Sequence, residues 1–453
     1  MSFDTNIDIP REAAQIIDTL HNRNYRAYIV GGCVRDSLLG KTPKDWDITT
    51  DASPEEIKKL FDKTVDTGLK HGTVTVVVNK SNYEITTFRS GLSCSKPGIE
   101  GDLELRDFTM NAIAYNNEEG FIDPFCGKRD IDNLLIRAVI SPCQRYMEDP
   151  LRMLRAIRFC AALNFEIEEN TLSAIRENCG LILKISPERI REELTNILVS
   201  DNPMKFVLLR ETGLMRHILP EFDRCFDTTQ NHPYHVHNVA IHSLHCVSSI
   251  ENKSLLRWTM LLHDIGKAVT KTTDNNGIDH FYGHPHKSVY IAENILRRLK
   301  FDNKFINKVC LLIDHHDRKI EPGYKSVRRA LSIVGKDLFL DLLKVHKADI
   351  TGQNPEFLTE RMHKINMVKE MYYEIKKKNQ CIETKDLAIS GNDLIELGIE
   401  PGKEMGIILK KLLDKVIDNP DLNTKENLIG LLADKNFFNK IVESIFHAKG
   451  DLK

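Results

Sequence analysis

Asp45 and Asp47 stand two residues apart in KDWDITT. In an extended segment alternate side chains fall on one side, so this pair could share divalent cations. Two-metal phosphoryl or nucleotidyl transfer needs such a pair and a third carboxylate nearby. Glu84, in YEITTF, is the candidate for the third. Just upstream, YIVGGCVRD carries Gly31-Gly32, where the missing Cβ lets the backbone approach a ligand closely. The helix expected over Cys33–Leu39 would turn free N–H groups toward phosphates. A lone DxD is more often an incidental acidic loop. Here a Gly-Gly turn, a VRD and a DxD fall within about 20 residues of one another.

Two more groups of residues could do chemistry. If Glu148–Phe159 is a helix, Asp149 and Arg152 of EDPLR are i,i+3 neighbours on one face. They pair an acceptor with a fork of donors, matching the N3 and N4–H₂ of cytosine or the N1 and N6–H₂ of adenine. Such a pair would reject G and U without a nucleic-acid template; a surface ion pair is the plainer alternative. Arg155 and Arg158 continue the ridge. From Arg137 to Arg158 five Arg face only Glu148 and Asp149. The other group is histidine-rich: 11 of 17 His lie between His232 and His316. His263 and Asp264 are adjacent in an apolar helix, where charged neighbours are costly unless they bind something. His242 lies upstream on an amphipathic helix, with His237 a weaker rival. Downstream stand His284, His286, His315, His316 and Asp317. Histidine plus carboxylate from separate helices is transition-metal ligation.

The elements that must position these residues follow from periodicity. Residues 11–26 read as an amphipathic helix, then Ala27–Val30, Thr73–Val78 and Tyr83–Phe88 as strands, with a polar turn at Asn79–Asn82. From Tyr146 the helical period dominates, and Ser186-Pro187-Glu188 marks a helix start. Between Lys319 and Lys378 there are 13 Lys/Arg against 8 Asp/Glu, which suits a phosphate-backbone surface. Gly398, Pro401, Gly402 and Gly406 punctuate a helical hairpin beyond it. The architecture is a small α/β head on a long helical body. The 453 residues carry a net charge of −2, with 41% hydrophobic and 28% charged residues, which excludes wholesale disorder. That near-zero charge averages over domains and excludes nothing about RNA. No run approaches the ~18–20 apolar residues of a membrane helix. The ten cysteines contain no CxxC pair and the start lacks a leader pattern, so a reduced, cytoplasmic protein is expected.

These motifs, with HGTVTVVV, EITTFR, RDFTMNAIAYN, FIDPFCGKRDI, EDPLRMLRAIRFCAALNF and SPERIREEL in order, resemble the class II tRNA nucleotidyltransferases and bacterial poly(A) polymerases. The resemblance covers most of the chain and implies an α+β fold. A polymerase-β-type nucleotidyltransferase head of mixed sheet and helices (1–140) would precede a helical neck (141–220), an HD-type domain (221–330) and a tRNA-binding body and tail (331–453). It implies Mg²⁺ at Asp45 and Asp47, with Glu84 as third carboxylate. Gly31, Gly32, Arg35, Arg106, Asp107, Asn111, Asp149, Arg152, Arg155 and Arg158 would bind the nucleotide. Partners would be tRNA, CTP and ATP, with C and then A added to the tRNA 3′ end. The order H…HD…D resembles the HD metal-dependent phosphohydrolases. By that resemblance His242, His263, Asp264 and Asp317 would hold a divalent transition metal, with His284 and His316 serving a second metal or the phosphate. Two departures stand out. Leu105 replaces the first arginine the family places before the Asp of RDFT, and the Arg89–Asp102 segment is short, as in members that add only CC. Poly(A) polymerase and RNA-end phosphohydrolase are the other readings.

Overall fold

A computed structural model describes residues 6–68, 72–89, 96–231, 233–354, 356, 358–437 and 439. The chain divides into two compact units, Met1–Asp223 and Arg224–Lys453. The first holds a seven-stranded mixed sheet in the order β3-β4-β5-β2-β1-β6-β7. Its strands are β1 (Ala27–Val30), β2 (Ile48–Thr50), β3 (Thr64–Gly68), β4 (Thr73–Val78), β5 (Ser81–Thr87), β6 (Ala114–Asn116) and β7 (Gly120–Ile122). Every pairing is antiparallel except β2–β5.

The β-branched run TVTVVV makes β4 a natural strand, and β5 returns through a two-residue turn, Asn79-Lys80. Both turn residues have positive φ, 50° and 67°, the geometry that matches strand twist in a tight hairpin. The turn is thus shorter than its polar composition predicts, and β5 begins at Ser81 rather than Tyr83. Helix α1 (Arg11–His21) buries Ala13, Ile16, Ile17 and Leu20 on one stripe. It stops five residues before Arg26, because Asn24 turns the chain at φ 64° and the chain enters β1 at Ala27. Helix α2 (Gly32–Leu38) follows β1 directly.

After α3 (Pro54–Leu60), α4 (Ile99–Glu104) and α5 (Gly127–Asp132) come the helices that carry the arginine ridge. Here the expected continuous helix from Glu148 is broken. Helix α6 (Pro142–Glu148) ends at Asp149, which is extended (φ −142°, ψ 98°), and α7 (Leu151–Leu163) starts after Pro150. The proline ring disfavours helical backbone at the residue before it, so Asp149 leaves the helix. Helix α9 (Pro187–Leu198), which follows α8 (Glu169–Asn178), starts at the predicted Ser186-Pro187 signal and packs on α7. Of the Arg89–Asp102 segment, residues 90–95 lie outside the described residues; its end is the start of α4.

The second unit is helical apart from a small hairpin pairing Thr272–Thr273 with Asp279–His280. Its first core helices are Val239–Ser249, Ser254–Leu262, His284–Arg298, Asn303–Asp314 and Phe339–Thr351. Among the described residues, no helix is long and apolar enough to cross a membrane.

Candidate active site and a second histidine cluster

Asp45, Asp47 and Glu84 gather at one end of the central strands. In the parallel β2–β5 pair Ile48 lies opposite Ile85, and both are buried. One step back along this register sets Asp47 beside Glu84, with both side chains on the face opposite the buried isoleucines. Asp45, two residues earlier and ahead of the strand, is close enough to raise the Asp47 pKa. All three are exposed, and none of their side chains hydrogen-bonds or ion-pairs with a described residue. The protein mass around Asp47 raises its pKa; Glu84 and Asp45 add to the rise, against the cations Arg106 and Arg89. Hard oxygens crowded together without a paired cation suit Mg²⁺.

Gly31 closes this site from the side. It has φ +81°, and a Cβ there would lie 2.7 Å from Nη1 of Arg106. Only glycine therefore lets the guanidinium rest on the turn between β1 and α2. Arg106 is held from behind by Asp102, which is fully buried and accepts from its Nη2 at 3.1 Å. The other oxygen of Asp102 accepts from the backbone N–H of Arg89 at 3.0 Å. One carboxylate thus ties both ends of the short segment to the arginine on the glycine turn. Nothing in the sequence marks Asp102 beyond its place four residues before RDFT.

The remaining nucleotide-binding candidates form one chain. Arg35 donates to Asn111 Oδ1 at 2.7 Å, and Asn111 donates to Asp107 Oδ1 at 3.1 Å. Arg155 donates through Nε and Nη2 to Asp107 Oδ2, at 2.8 and 2.7 Å. Burial alone would push the Asp107 carboxyl up, but Arg155, Asn111 and the Phe108 N–H hold it at about 2. Arg158 is bound separately, by Glu193 of α9 at 2.6 Å. Arg35, Arg155 and Arg158 all pack on the ring of Phe159, with guanidinium carbons 5.2, 5.5 and 4.0 Å from its centroid. The helix break corrects the expectation for EDPLR: Asp149 and Arg152 do not share one helix face. Asp149 accepts from Arg189 Nη2 at 2.8 Å and caps Leu151 at 3.2 Å. Arg152 donates to Glu148 at 3.1 Å and to the Leu105 carbonyl at 2.9 Å. The Asp149 carboxylate and the Arg152 guanidinium are held by different partners on the two sides of the break.

Family models match along the same path. That of the poly A polymerase head domain covers residues 27–137, and that described as "Probable RNA and SrmB-binding site of polymerase A" covers residues 164–226. The CCA-adding enzyme of Ligilactobacillus salivarius is 33% identical over 436 residues, covering 92% of this chain and 95% of that protein. This chain belongs to the CCA-adding family of tRNA nucleotidyltransferases. The relative from Lactobacillus helveticus is also 33% identical, over 94% of this chain and 98% of its own length. The crystal structure of the Bacillus stearothermophilus CCA-adding enzyme in complex with CTP aligns with TM-score 0.75 at 28% identity, over 95% of this chain and 98% of that one. The Thermotoga maritima enzyme complexed with tRNA shares the fold, with TM-score 0.57 at 23% identity. A family model of tRNA nucleotidyltransferase domain 2 matches residues 286–432.

This nucleotidyltransferase carries a second concentration of ligand chemistry in its other unit. The imidazoles of His242, His263, His284 and His316 each put Nδ1 against a backbone carbonyl, of Gly352, Met260, Phe281 and Ile313 respectively, at 3.0, 2.8, 2.9 and 2.6 Å. A carbonyl only accepts, so each Nδ1 carries a proton and each Nε2 is the nitrogen turned inward. All four Nε2 converge on two carboxylates. His242 and His263 lie 3.5 and 3.3 Å from Oδ2 of Asp264, and His284 and His316 lie 3.3 and 3.4 Å from its Oδ1. The second carboxylate is Asp349, 3.0 Å from His242 and 3.5 Å from His263. Both carboxyls are held well below the usual range: burial opposes ionisation, but the imidazoles outweigh it, with Lys267 assisting at Asp264. His263 Nε2 is fully buried and has no hydrogen-bond partner. His284 Nε2 and His316 Nε2 point at each other across 3.2 Å.

Asp349 takes the place the sequence reading gave to Asp317. Asp317 lines the cavity of about 850 Å³ that opens on Asp264, His284, His316 and Asp349, and it contacts none of the four imidazoles' Nε2 atoms. His237 stacks on His245 at 4.6 Å, outside the converging set. His286 pairs with Asp314 on the exposed surface. Asp349 lies 107 residues beyond His242 with no motif around it. Its one sequence signal is an acid in helical register with the buried Leu342 and His346 of its own helix.

Proposed function

We propose that this nucleotidyltransferase adds C, and then A, to the 3′ end of tRNA from CTP and ATP, in a cytoplasmic setting. The observation that carries the reading is Asp47 and Glu84 side by side, with Asp45 close by, unpaired beside the Gly31–Arg106 turn. In the reaction the tRNA 3′-oxygen attacks the α-phosphorus, the bond to the bridging oxygen breaks, and pyrophosphate leaves with the electron pair. Asp45, Asp47 and Glu84 would hold two Mg²⁺ ions, which when bound supply charge neutralisation at the phosphorus and a more acidic 3′-hydroxyl. Arg106, seated on Gly31, and Arg35, braced by Asn111, offer donors to the triphosphate. Asp107 fixes Arg155 and Asn111 through both of its oxygens. Asp149 and Arg152 present an acceptor and a donor to the base edge, the combination that C and A share. The test is incubation with tRNA lacking CCA and labelled CTP; no incorporation overturns the proposal. If addition stops at CC with both nucleotides present, the short Arg89–Asp102 segment has removed the A step.

Asp102 acts behind this site. Asp102→Asn keeps an acceptor for the Arg89 N–H but withdraws the ionic partner of Arg106. A hydrogen bond to a charged group contributes about 1.5–3 kcal/mol, so kcat/KM for CTP falls ~10–100-fold. The loss appears mainly in KM, because the triphosphate is bound before reaction. An unchanged KM contradicts this role.

A second reading applies to the other unit: a metal-dependent phosphohydrolase acting on phosphate esters such as those at RNA ends. Four Nε2 atoms converging on Asp264 and Asp349 favour it. His242, His263, Asp264 and Asp349 would hold one transition metal, with His284 and His316 on the other oxygen of Asp264 and the cavity as substrate entry. Bound metal would supply an acidified water for attack on phosphorus. The expected result is hydrolysis of bis(p-nitrophenyl) phosphate that chelator and His316→Ala abolish while CTP addition by His316→Ala persists. Equal hydrolysis by wild type and His316→Ala contradicts it.

A further inference from the structure

The sulfur of Cys246 lies among the converging donors of the second unit, and neither the H…HD…D pattern nor the nucleotidyl-transfer chemistry gives it a role. Cys246 sits four residues after His242, one turn on along the same helix, and is fully buried. Its Sγ is 3.5 Å from His242 Nε2. A ring nitrogen each of His242 and His263, Cys246 Sγ and a carboxylate oxygen of Asp349 all lie within 4.8 Å of one another. Bond lengths of about 2.3 Å to sulfur and about 2.0–2.1 Å to imidazole nitrogen set S and N roughly 3.5 Å apart around a tetrahedral ion. The 3.0 and 3.5 Å separations of Asp349 Oδ1 from His242 and His263 are of the same size. The independent sign of an ion is His263 Nε2, buried, without a hydrogen bond, and aimed into this group.

The residue that leaves room for sulfur here is Gly352. A Cβ on it would lie 2.6 Å from Cys246 Sγ and 3.1 Å from His242 Nδ1. The thiol lies 3.9 Å from Nδ1 and closer, 3.5 Å, to the Nε2 that faces the carboxylates.

We propose that Cys246 is a thiolate ligand in a His242–Cys246–His263–Asp349 set that selects a thiophilic ion such as Zn²⁺. The proposal rests on the reading of this cluster as a metal site and adds its metal preference. Coordination breaks the S–H bond: the sulfur electron pair goes to the ion and the proton to solvent. A sulfur donor shifts preference away from Mg²⁺ and toward zinc-like ions. In this set Cys246 replaces Asp264 as the fourth ligand, and Asp264, with His284 and His316, stays on the cavity side as the more open, oxygen- and nitrogen-lined position.

The test is Co²⁺ titration of the metal-free full chain, with visible and near-ultraviolet absorption. Visible d–d bands report any Co²⁺ site, and a strong near-ultraviolet sulfur-to-metal band reports a thiolate ligand. The expected result is both in the wild-type chain, with Cys246→Ser keeping the visible bands and losing the near-ultraviolet one. Zn²⁺ Kd for Cys246→Ser should rise by at least the ~10–100-fold that loss of an outer-shell partner causes. Visible bands without the near-ultraviolet band, or a near-ultraviolet band that survives Cys246→Ser, overturns the thiolate while leaving the His/Asp site standing. No Co²⁺ binding by the metal-free chain overturns both. Cys246→Ala, compared by circular dichroism melting, separates ligand loss from misfolding.

Discussion

Asp47→Ala is expected to reduce CMP transfer to tRNA ~10³-fold or more while leaving the fold intact. The size of the effect follows from what this carboxylate holds. Stabilising the charge that develops at a transferring phosphoryl group contributes several kcal/mol, and each ~1.4 kcal/mol is tenfold in rate. The stability side is small, because Asp47 is exposed and no described residue is bound to its side chain. Its neighbours Glu84 and Asp45 repel it, so removing one charge relieves the other two. A loss of rate with an unchanged melting temperature marks a metal-holding carboxylate. Full activity in Asp47→Ala contradicts the assignment, and Asp45→Ala is expected to behave alike.

Asp149→Ala is expected to relax base choice more than it slows transfer of CTP. In the proposed reading Asp149 would accept from the exocyclic N4–H₂ of cytosine or N6–H₂ of adenine, where uracil and guanine present a carbonyl oxygen. A well-placed pair of this kind is worth about 1–3 kcal/mol of discrimination, so CTP preference over UTP should fall ~10–100-fold. The extended backbone at Asp149 and its bond to Arg189 fix the direction in which it accepts. Arg152, tied to Glu148 and to the Leu105 carbonyl, is held equally still. Rigid placement on both sides is what lets protein side chains read a base without a complementary strand. Steady-state kcat/KM ratios for CTP and UTP measure this, and an unchanged ratio contradicts it.

The head was legible because its chemistry is local. Asp45 and Asp47 lie two apart just ahead of β2, Glu84 sits on a strand whose alternation is plain, and Gly31 marks its own turn. Pro150 also carried its information in the open. Its effect on the preceding residue breaks the helix assumed across EDPLR, a steric rule that outweighs the helical period on either side. Long-range partners were not legible. Asp102 acts through a residue on each side of the short segment, and Asp349 reaches His242 from 107 positions away. Local pattern gives such residues no signature until folding brings their helices together. Asp317 is the Asp that the H…HD…D resemblance implies, whereas the carboxylate facing His242 and His263 beside Asp264 comes from Asp349 on a later helix.

The central claim is bounded, untemplated addition at a tRNA 3′ end. The direct measurement is the product ladder on tRNA ending before the CCA, with CTP alone and with CTP plus ATP. The account predicts products two nucleotides longer with CTP alone and three nucleotides longer with both, and no further growth. No extension with CTP, or a long adenosine tail on tRNA and unrelated RNA alike, would contradict it.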